Sequence, residues 1–250
     1  MEYKVLGGSF PVVECTLNAG ESMITQSGSM AWMDPTITME TSTNGGLKKV
    51  VGRLFSNEHL FQNIYTAGQD GAKIAFGTCV PGSIIAVEIK PGKSLICQKS
   101  AFLASYGNVE LSTFFNKKIG VGIFGGEGFI MQKITGDGIV FIEIDGANQE
   151  FELAAGQQMI LSTGYLVSIE ETCQMDVQTV KGLKNIILGG EGIFNTVITG
   201  PGKVVAQTMP LPKLANSLVP FLPQQINTSS SSGNDGIDAA ASLFKMFTKK

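Results

Sequence analysis

The sequence has almost no histidine and almost no arginine: His59 and Arg53 are the only ones among 250 residues. A single histidine excludes a metal site with several histidine ligands and nearly every nucleophile that histidine activates. The serines of the chain are therefore poor candidates for a catalytic nucleophile. We predict a protein that is not an enzyme and that uses no cofactor.

Charge is also scarce, because charged residues make up 16% of the chain and the net charge is -3. Proteins that bind nucleic acids by neutralising phosphates usually present a basic face. Here the lysines occur singly or in short pairs. The composition predicts that nucleic acid is not a partner.

Cysteine motifs and long apolar runs are missing as well. The four cysteines, Cys15, Cys79, Cys97 and Cys173, form no C-x-x-C pair. They are typical of small buried hydrophobic residues in a reducing compartment, and a disulfide remains the alternative. The first eight residues contain no apolar signal region, and no run approaches the roughly 20 apolar residues of a membrane span. We therefore expect a cytoplasmic protein.

Glycine, in contrast, is abundant, with 31 residues. Short runs of Val, Ile, Thr and Phe alternate with Gly, Pro, Asn and Asp, and no helical periodicity precedes residue 209. This pattern is typical of short β-strands joined by tight turns. It predicts an all-β protein with strands at residues 73–76, 83–89, 138–144 and 203–208.

One phrase occurs three times. Residues 189–202 read GGEGIFNTVITGPG, residues 125–138 read GGEGFIMQKITGDG, and a degraded copy at 56–71 reads SNEHLFQNIYTAGQDG. Three glutamates align the copies. A threonine lies eight residues after each glutamate, and a lysine lies ten residues before it. The aligned residues are Glu58, Glu127 and Glu191, with Lys48, Lys117 and Lys181.

A second phrase, at residues 19–41, 91–113 and 155–179, also recurs. Gly20, Gly92 and Gly156 open its copies at predicted turns, 38, 35 and 35 residues before the repeated glutamates. Each copy is expected to form three short strands separated by turns. The near-constant distance between two phrases predicts three units, at about 1–76, 77–146 and 147–209. We expect three β-sandwich units that pack about a pseudo-threefold axis as a single domain.

The repeated charges are the first candidate site. If the three glutamates converge near the axis, they could bind a cation or act as acid and base, and the three lysines could bind an anion. The alternative is that each glutamate accepts backbone N–H bonds at its turn and that each lysine is solvated. Both interpretations remain open at this point, and no metal site is assigned.

Two other motifs receive structural interpretations. Residues 120–125 fit G-x-G-x-x-G, but a strand rather than a helix is predicted after them, which argues against a dinucleotide site. Among the large apolar residues, Met30, Trp32, Met33 and Phe102 with Tyr165 are interpreted as core or trimer contacts rather than as a ligand cage.

The end of the chain differs in composition. Residues 210–223 carry four prolines, which leave room for one or two helical turns on the surface. Residues 224–236 read as a flexible linker, and a short amphipathic helix is predicted after it. That helix could contact a protein or a membrane surface, and the alternative is a frayed or self-docked tail.

Several of these phrases also carry a family resemblance. The run at 19–41, KSAFLAS at 99–105, the two GGEG phrases and ITGPGKVVAQT at 198–208 resemble the mitochondrial biogenesis family named for altered inheritance of mitochondria, over about residues 1–209. The resemblance implies repeats similar to the subunit of the tryptophan RNA-binding attenuation protein (TRAP-like, a variant of the double-stranded β-helix) and further assembly of chains. It implies no agreed enzyme activity, so no catalytic residues are carried over. The sequence departs from many relatives at 161–165, Leu-Ser-Thr-Gly-Tyr in place of Val-Asp-Thr-Gly-His, and at Met209 in place of arginine.

Together these observations predict a non-enzymatic scaffold or interaction protein. Its expected partners are further copies of itself, as a homo-oligomer such as a trimer, and a protein or membrane surface at the C-terminal tail. The resemblance adds a link to membrane organisation. The alternative is a small-ligand or ion-binding protein that uses the repeated Glu and Lys positions.

Overall fold

The computed structural model describes residues 1–26, 28–42, 62–117, 129–179 and 194–218. The described residues form 17 β-strands and one α-helix, α1 (Leu211–Leu218), which confirms the prediction of a β protein with helix only near the C-terminus. Two 3₁₀ turns, Lys99–Ala101 and Thr163–Tyr165, complete the regular structure of these ranges. In chain order the strands are β1 (Glu2–Leu6), β2 (Val12–Leu17), β3 (Ser22–Gln26), β4 (Met30–Met33), β5 (Ile37–Ser42), β6 (Gln62–Ala67), β7 (Ala72–Gly77), β8 (Gly82–Ile89), β9 (Leu95–Gln98), β10 (Phe102–Lys117), β11 (Phe129–Asp145), β12 (Asn148–Leu153), β13 (Gln158–Ser162), β14 (Leu166–Glu170), β15 (Gln174–Thr179), β16 (Phe194–Thr199) and β17 (Gly202–Gln207).

The described strands assemble into three sheets. The first has the order β1-β2-β7-β4, and a small sheet has the order β13-β16-β15. The largest sheet connects β12-β17-β14-β9-β11-β10-β3-β6-β5, and β8 is added beside β11. All of the pairings are antiparallel.

Corresponding pairings occur in successive parts of the chain. In the N-terminal part, β7 lies between β2 and β4, and β6 lies between β3 and β5. In the C-terminal part, β17 lies between β12 and β14, and β16 lies between β13 and β15. In the middle part, β11 pairs with β8, β9 and β10.

The turn glycines confirm one prediction from the sequence. Gly20, Gly92 and Gly156 have φ angles of +82°, +80° and +76°. Backbone with positive φ strains residues that carry a Cβ, and glycine avoids that strain.

The middle of the chain differs from the expected short strands. β10 and β11 run for 16 and 17 residues, so the turn predicted between the second and third strands of residues 91–113 does not reverse the chain. Gly107 and Gly136, with φ angles of +92° and +116°, lie inside these strands. They let the backbone bend while pairing continues, with Gly107 opposite Gly138 and Val109 opposite Gly136.

The buried residues that the structure describes form three apolar clusters. The first is centred on side chains such as Phe76 and Leu17 of the N-terminal strands and extends to Phe141. The second occupies the middle of the chain around Ile134 and Ile142, and the third lies in the C-terminal strands around Ile198. Burial of these clusters is the main source of stability, because apolar burial contributes about 25 cal/mol per Å².

The helix α1 follows the last strand directly. Its eight residues amount to about two turns, the length that the surrounding prolines were expected to allow. Within the described ranges, no helix is long and apolar enough to cross a membrane. The predicted linker and terminal helix, residues 224–250, lie outside the described part of the chain.

Candidate functional site

The repeated charges fall almost entirely outside the described residues. Of the six predicted positions, only Lys117 lies in a described strand, where its backbone is opposite Phe129 at the end of β10. The others are Glu58, Glu127, Glu191, Lys48 and Lys181. Whether these side chains converge therefore stays a prediction.

The described parts of the chain are joined by two short strand seams. In the first, Ala104, Ser105 and Tyr106 of β10 pair with Thr25, Ile24 and Met23 of β3. In the second, Ser168, Ile169 and Glu170 of β14 pair with Cys97, Ile96 and Leu95 of β9. Each seam continues one sheet from one part of the chain into the next.

Polar side chains reinforce the first seam. The Thr25 hydroxyl donates to the backbone carbonyl oxygen of Leu103 at 2.7 Å, and Thr25 is fully buried. The Tyr106 hydroxyl donates to Oε1 of Glu21 at 2.6 Å, and this bond lowers the pKa of Glu21. Because buried polar groups need partners, these contacts favour one register of the seam.

The second seam has a buried polar cluster at its end. Nε2 of Gln98 donates to the carbonyl oxygen of Thr163 at 3.4 Å. The Thr196 hydroxyl donates to Oγ1 of Thr163 at 3.1 Å, and Oγ1 of Thr163 donates to the carbonyl oxygen of Phe194 at 2.9 Å. The cluster links β9, the second 3₁₀ turn and β16, so it ties the middle of the chain to the C-terminal strands.

Several strands have an open edge. Among the described strands, seven pair with one strand only, namely β1, β4, β5, β8, β12, β13 and β15. The one partner of β4 is β7, and the one partner of β13 is β16. Trp32 on β4 is 45% exposed and Ile160 on β13 is 66% exposed. A strand edge with unpaired N–H and C=O groups and exposed apolar side chains is a surface for pairing with another strand. These two edges are the best candidate for a functional surface.

The large apolar residues that were interpreted together from the sequence have different environments in the structure. Phe102 is buried, and Met30 and Met33 pack against the first apolar cluster, as core residues do. Trp32 instead faces solvent, and its Nε1 donates to Oε2 of Glu14 at 3.3 Å.

A pair of carboxylates with raised pKa values lies at the end of β11. Glu143 and Asp145 lie two residues apart on β11 and therefore on the same face of the strand. Burial and the charge of Asp145 raise the pKa of Glu143 to about 7, while the backbone N–H of Cys79 opposes the shift. Burial likewise raises the pKa of Asp145. The pair can hold a proton near neutral pH.

Asp145 also organises the chain around it. Its Oδ2 accepts from the N–H of Leu211 at 2.9 Å, at the start of α1. Its own N–H donates to Oε1 of Gln207 at 3.0 Å, and its carbonyl oxygen accepts from the N–H of Met209 at 3.0 Å. Nε2 of Gln207 then donates to the carbonyl oxygen of Gly164 at 2.9 Å. These contacts assign Asp145 a role in anchoring α1.

The four cysteines are free thiols. Cys15, Cys97 and Cys173 are buried, as expected, whereas Cys79 is exposed beside the carboxylate pair. Partial burial of its sulfur and the charges of Glu143 and Asp145 raise the pKa of Cys79. Among the described residues, no group of three or more His, Cys, Asp or Glu side chains could hold a metal ion.

Sequence reasoning missed Glu143, Asp145 and Gln207. The only local signal is the acidic pair at i and i+2 at the end of an apolar run, where one face is expected to be buried. The Asp145–Leu211 contact joins residues 66 positions apart, and no local pattern reports such a contact.

The family model described as mitochondrial biogenesis AIM24 matches residues 3–209, which is most of the chain. The chain belongs to the mitochondrial biogenesis AIM24 family. The match ends just before α1, so the AIM24 region contains β1 from Tyr3 onward and the other 16 described strands in full.

Two relatives extend this assignment. The AIM24 chain is 30% identical over 226 residues to an uncharacterised protein from Streptococcus pyogenes serotype M6, covering 87% of this chain and 89% of the relative. It is also similar to a crystal structure of a Streptococcus pyogenes protein, with a TM-score of 0.72 and 25% identity over 88% of this chain and 99% of that one.

Proposed function

We propose that this AIM24-family chain is a non-enzymatic scaffold that binds other macromolecules along its open strand edges. The observation that carries the proposal is the pair of edges on β4 and β13, with Trp32 and Ile160 exposed. Strand addition at such an edge supplies main-chain hydrogen bonds for affinity, and side-chain contacts supply selectivity. Large exposed apolar side chains at an edge are otherwise a liability for aggregation.

The proposal includes three TRAP-like sandwich repeats in one chain. Closure of these repeats about the predicted pseudo-threefold axis would pair β4 with β13 of the same chain, and no such pairing is present among the described strands. Support comes from one irregularity that recurs at corresponding positions. Register shifts separate Met30 from Trp32 on β4, Phe102 from Ala104 on β10, and Leu166 from Ser168 on β14. Each shift begins ten residues after the turn glycine of its segment, at Gly20, Gly92 or Gly156. β-Bulges are specific features of a fold, so three at one position favour a common unit.

An experimental structure tests the repeats directly. We expect the segments 12–77, 82–145 and 148–207 to superpose with the same strand order. Different strand orders in the three segments would contradict the repeat arrangement without affecting the open edges.

Binding by the edges is tested by purifying the tagged full-length chain from its native cell. The double variant Trp32→Ala/Ile160→Lys should lose the proteins that copurify with the wild type. The matched control is Phe10→Lys, which changes a side chain that is 68% exposed in a loop between β1 and β2. The scaffold proposal is wrong if the wild type, the double variant and the control retain the same proteins.

The link to membrane organisation belongs to the same proposal and comes from the family resemblance of the sequence. Flotation with vesicles that contain anionic lipid tests it in the full chain and in a truncation after Pro223. We expect the full chain to float and the truncation to stay below, because the tail carries Lys245, Lys249 and Lys250. If neither protein floats, the membrane link is contradicted.

A further inference from the structure

The two internal seams use the same register relative to the turn glycines. In the first, Ser105 lies 13 residues after Gly92 and pairs with Ile24, which lies 4 residues after Gly20. In the second, Ile169 lies 13 residues after Gly156 and pairs with Ile96, which lies 4 residues after Gly92. Each seam therefore joins the residues just after the bulge of one segment to the strand after the turn of the preceding segment.

The same rule defines a third pair of positions. The residue 13 positions after Gly20 is Met33 on β4, and the residue 4 positions after Gly156 is Ile160 on β13. No pairing joins β4 to β13 in the described structure. Ile160 is 66% exposed, whereas its counterpart Ile96 is fully buried.

The described residues at the two ends belong to different apolar clusters. Among these residues, the cluster beneath β4 includes none from 147–209, and the cluster beneath β13 includes none from 1–76. At the internal seams, in contrast, the clusters cross from one segment to the next: Phe141 joins the first cluster, and Ile96 joins the third. The described strands thus form an open series with complementary ends.

We infer that β4 of one copy pairs with β13 of a second copy of this chain, antiparallel, in the register of the internal seams. Trp32 then lies opposite Leu161, Met33 opposite Ile160, and Asp34 opposite Met159. The pairing buries Trp32 and Ile160 and provides hydrogen-bond partners for the open edges of β4 and β13. It rests on the proposed function and names the partner that the edges bind.

The two surfaces differ, so the contact is head-to-tail rather than twofold. Head-to-tail contacts form closed rings when the rotation per copy closes and open filaments when it does not. The internal seams pair only three residues each, so a contact of the same length should be reversible and dependent on concentration.

Disulfide cross-linking tests the register. Met33→Cys and Ile160→Cys are made separately in a Cys79→Ser background, which leaves only buried native thiols. The two proteins carry tags of different mass, are mixed and are oxidised mildly. We expect the covalent dimer that contains one chain of each kind to exceed both homodimers at least fivefold. The matched control mixes Met33→Cys with Phe10→Cys, and it should show no such excess.

Three results would overturn the inference. The first is a mixture of Met33→Cys and Ile160→Cys that gives no more mixed dimer than the control. The second is equal amounts of mixed dimer and homodimers. The third is a Met33→Cys/Ile160→Cys double variant that oxidises within a single chain, because the chain then closes on itself.

Light scattering after size exclusion gives an independent measurement. We expect the wild-type mass to rise above the 26.5 kDa of one chain as concentration increases. Ile160→Lys should remain monomeric with an unchanged circular dichroism spectrum, and Phe10→Lys should behave as the wild type. A wild type that stays monomeric at the highest concentration counts against self-pairing. If Trp32→Ala/Ile160→Lys still loses copurified proteins in that case, the scaffold proposal survives with a different partner.

Discussion

Oδ2 of Asp145 accepts a hydrogen bond from the backbone N–H of Leu211 at 2.9 Å. Leu211 is the first residue of α1, and the first N–H groups of a helix have no partner within the helix. Asp145 therefore caps α1 from the end of β11, a strand that lies 66 residues earlier in the chain. Through this contact the middle of the protein determines where its C-terminal helix begins.

Removing the cap should loosen the start of α1. Loss of a capping side chain costs about 1 kcal/mol, and Asp145→Ala should raise hydrogen exchange in the first turn of α1 severalfold. The measurement is exchange mass spectrometry of peptides that cover residues 209–218. Asp145→Asn keeps an oxygen acceptor, and its exchange should remain near that of the wild type. Equal exchange in Asp145→Ala and the wild type would show that other contacts hold α1.

Ionisation of Glu143 should make stability depend on pH. Its pKa is raised from 4.5 to about 7 in the folded chain, so between these values the folded state holds a proton that the unfolded state has lost. The free energy of unfolding should therefore fall as pH rises from about 4.5 to about 7, by about 3 kcal/mol at most, and then level off. The raised pKa of Asp145 contributes with the same sign.

Chemical denaturation at pH 5, 6, 7 and 8 measures this slope. Glu143→Gln should reduce the fall and be more stable than the wild type at pH 8. Glu88→Gln, which removes an exposed carboxylate from the neighbouring strand β8, should leave the slope unchanged. A wild-type slope that persists in Glu143→Gln would contradict this origin.

Thiol labelling should distinguish Cys79 from the other cysteines. Burial raises the pKa of Cys15 and of Cys97 to about 12, so neither should react in the folded protein. We expect one maleimide per native chain, at Cys79, and four per chain in denaturant, counted by intact mass. Labelling of Cys79 at pH 7.5 should be faster in Glu143→Gln, because Glu143 raises the pKa of that thiol. An unchanged rate would show that the carboxylate pair does not act on Cys79.

A glycine in the paired region of β10 and β11 should be difficult to replace. A Cβ on Gly138 would lie 2.1 Å from the carbonyl oxygen of Tyr106, and that carbonyl belongs to the paired strand. We expect Gly138→Ala to lower the free energy of unfolding by about 3 kcal/mol or more. Gly156→Ala is the matched control: its φ is +76° but no atom lies within 4 Å of its Cβ, so only backbone strain of about 1 kcal/mol is expected. Equal losses in the two variants would contradict the steric argument.

Much of the fold was predictable because it depends on local patterns. Strands at 73–76, 83–89 and 138–144 lie within β7, β8 and β11, and Gly20 takes the positive φ that its turn requires. The length of β10 was not predictable, because Gly107 reads as a turn until Gly138 is known to lie opposite it. The carboxylate pair was missed for a similar reason, since its burial depends on elements distant in sequence.

The amino-acid sequence by itself determined the family, the β class and the spacing of the turns, because apolar alternation and glycine act over a few residues. Tertiary structure decided which strand edges pair and which stay open. Ile96 and Ile160 occupy the same position after their turn glycines, yet Ile96 is buried in a seam and Ile160 is exposed on an edge. Ile96 is buried because β14 lies beside it, and Ile160 is exposed because no described strand lies at the corresponding edge. The local sequence around the two residues does not indicate this difference.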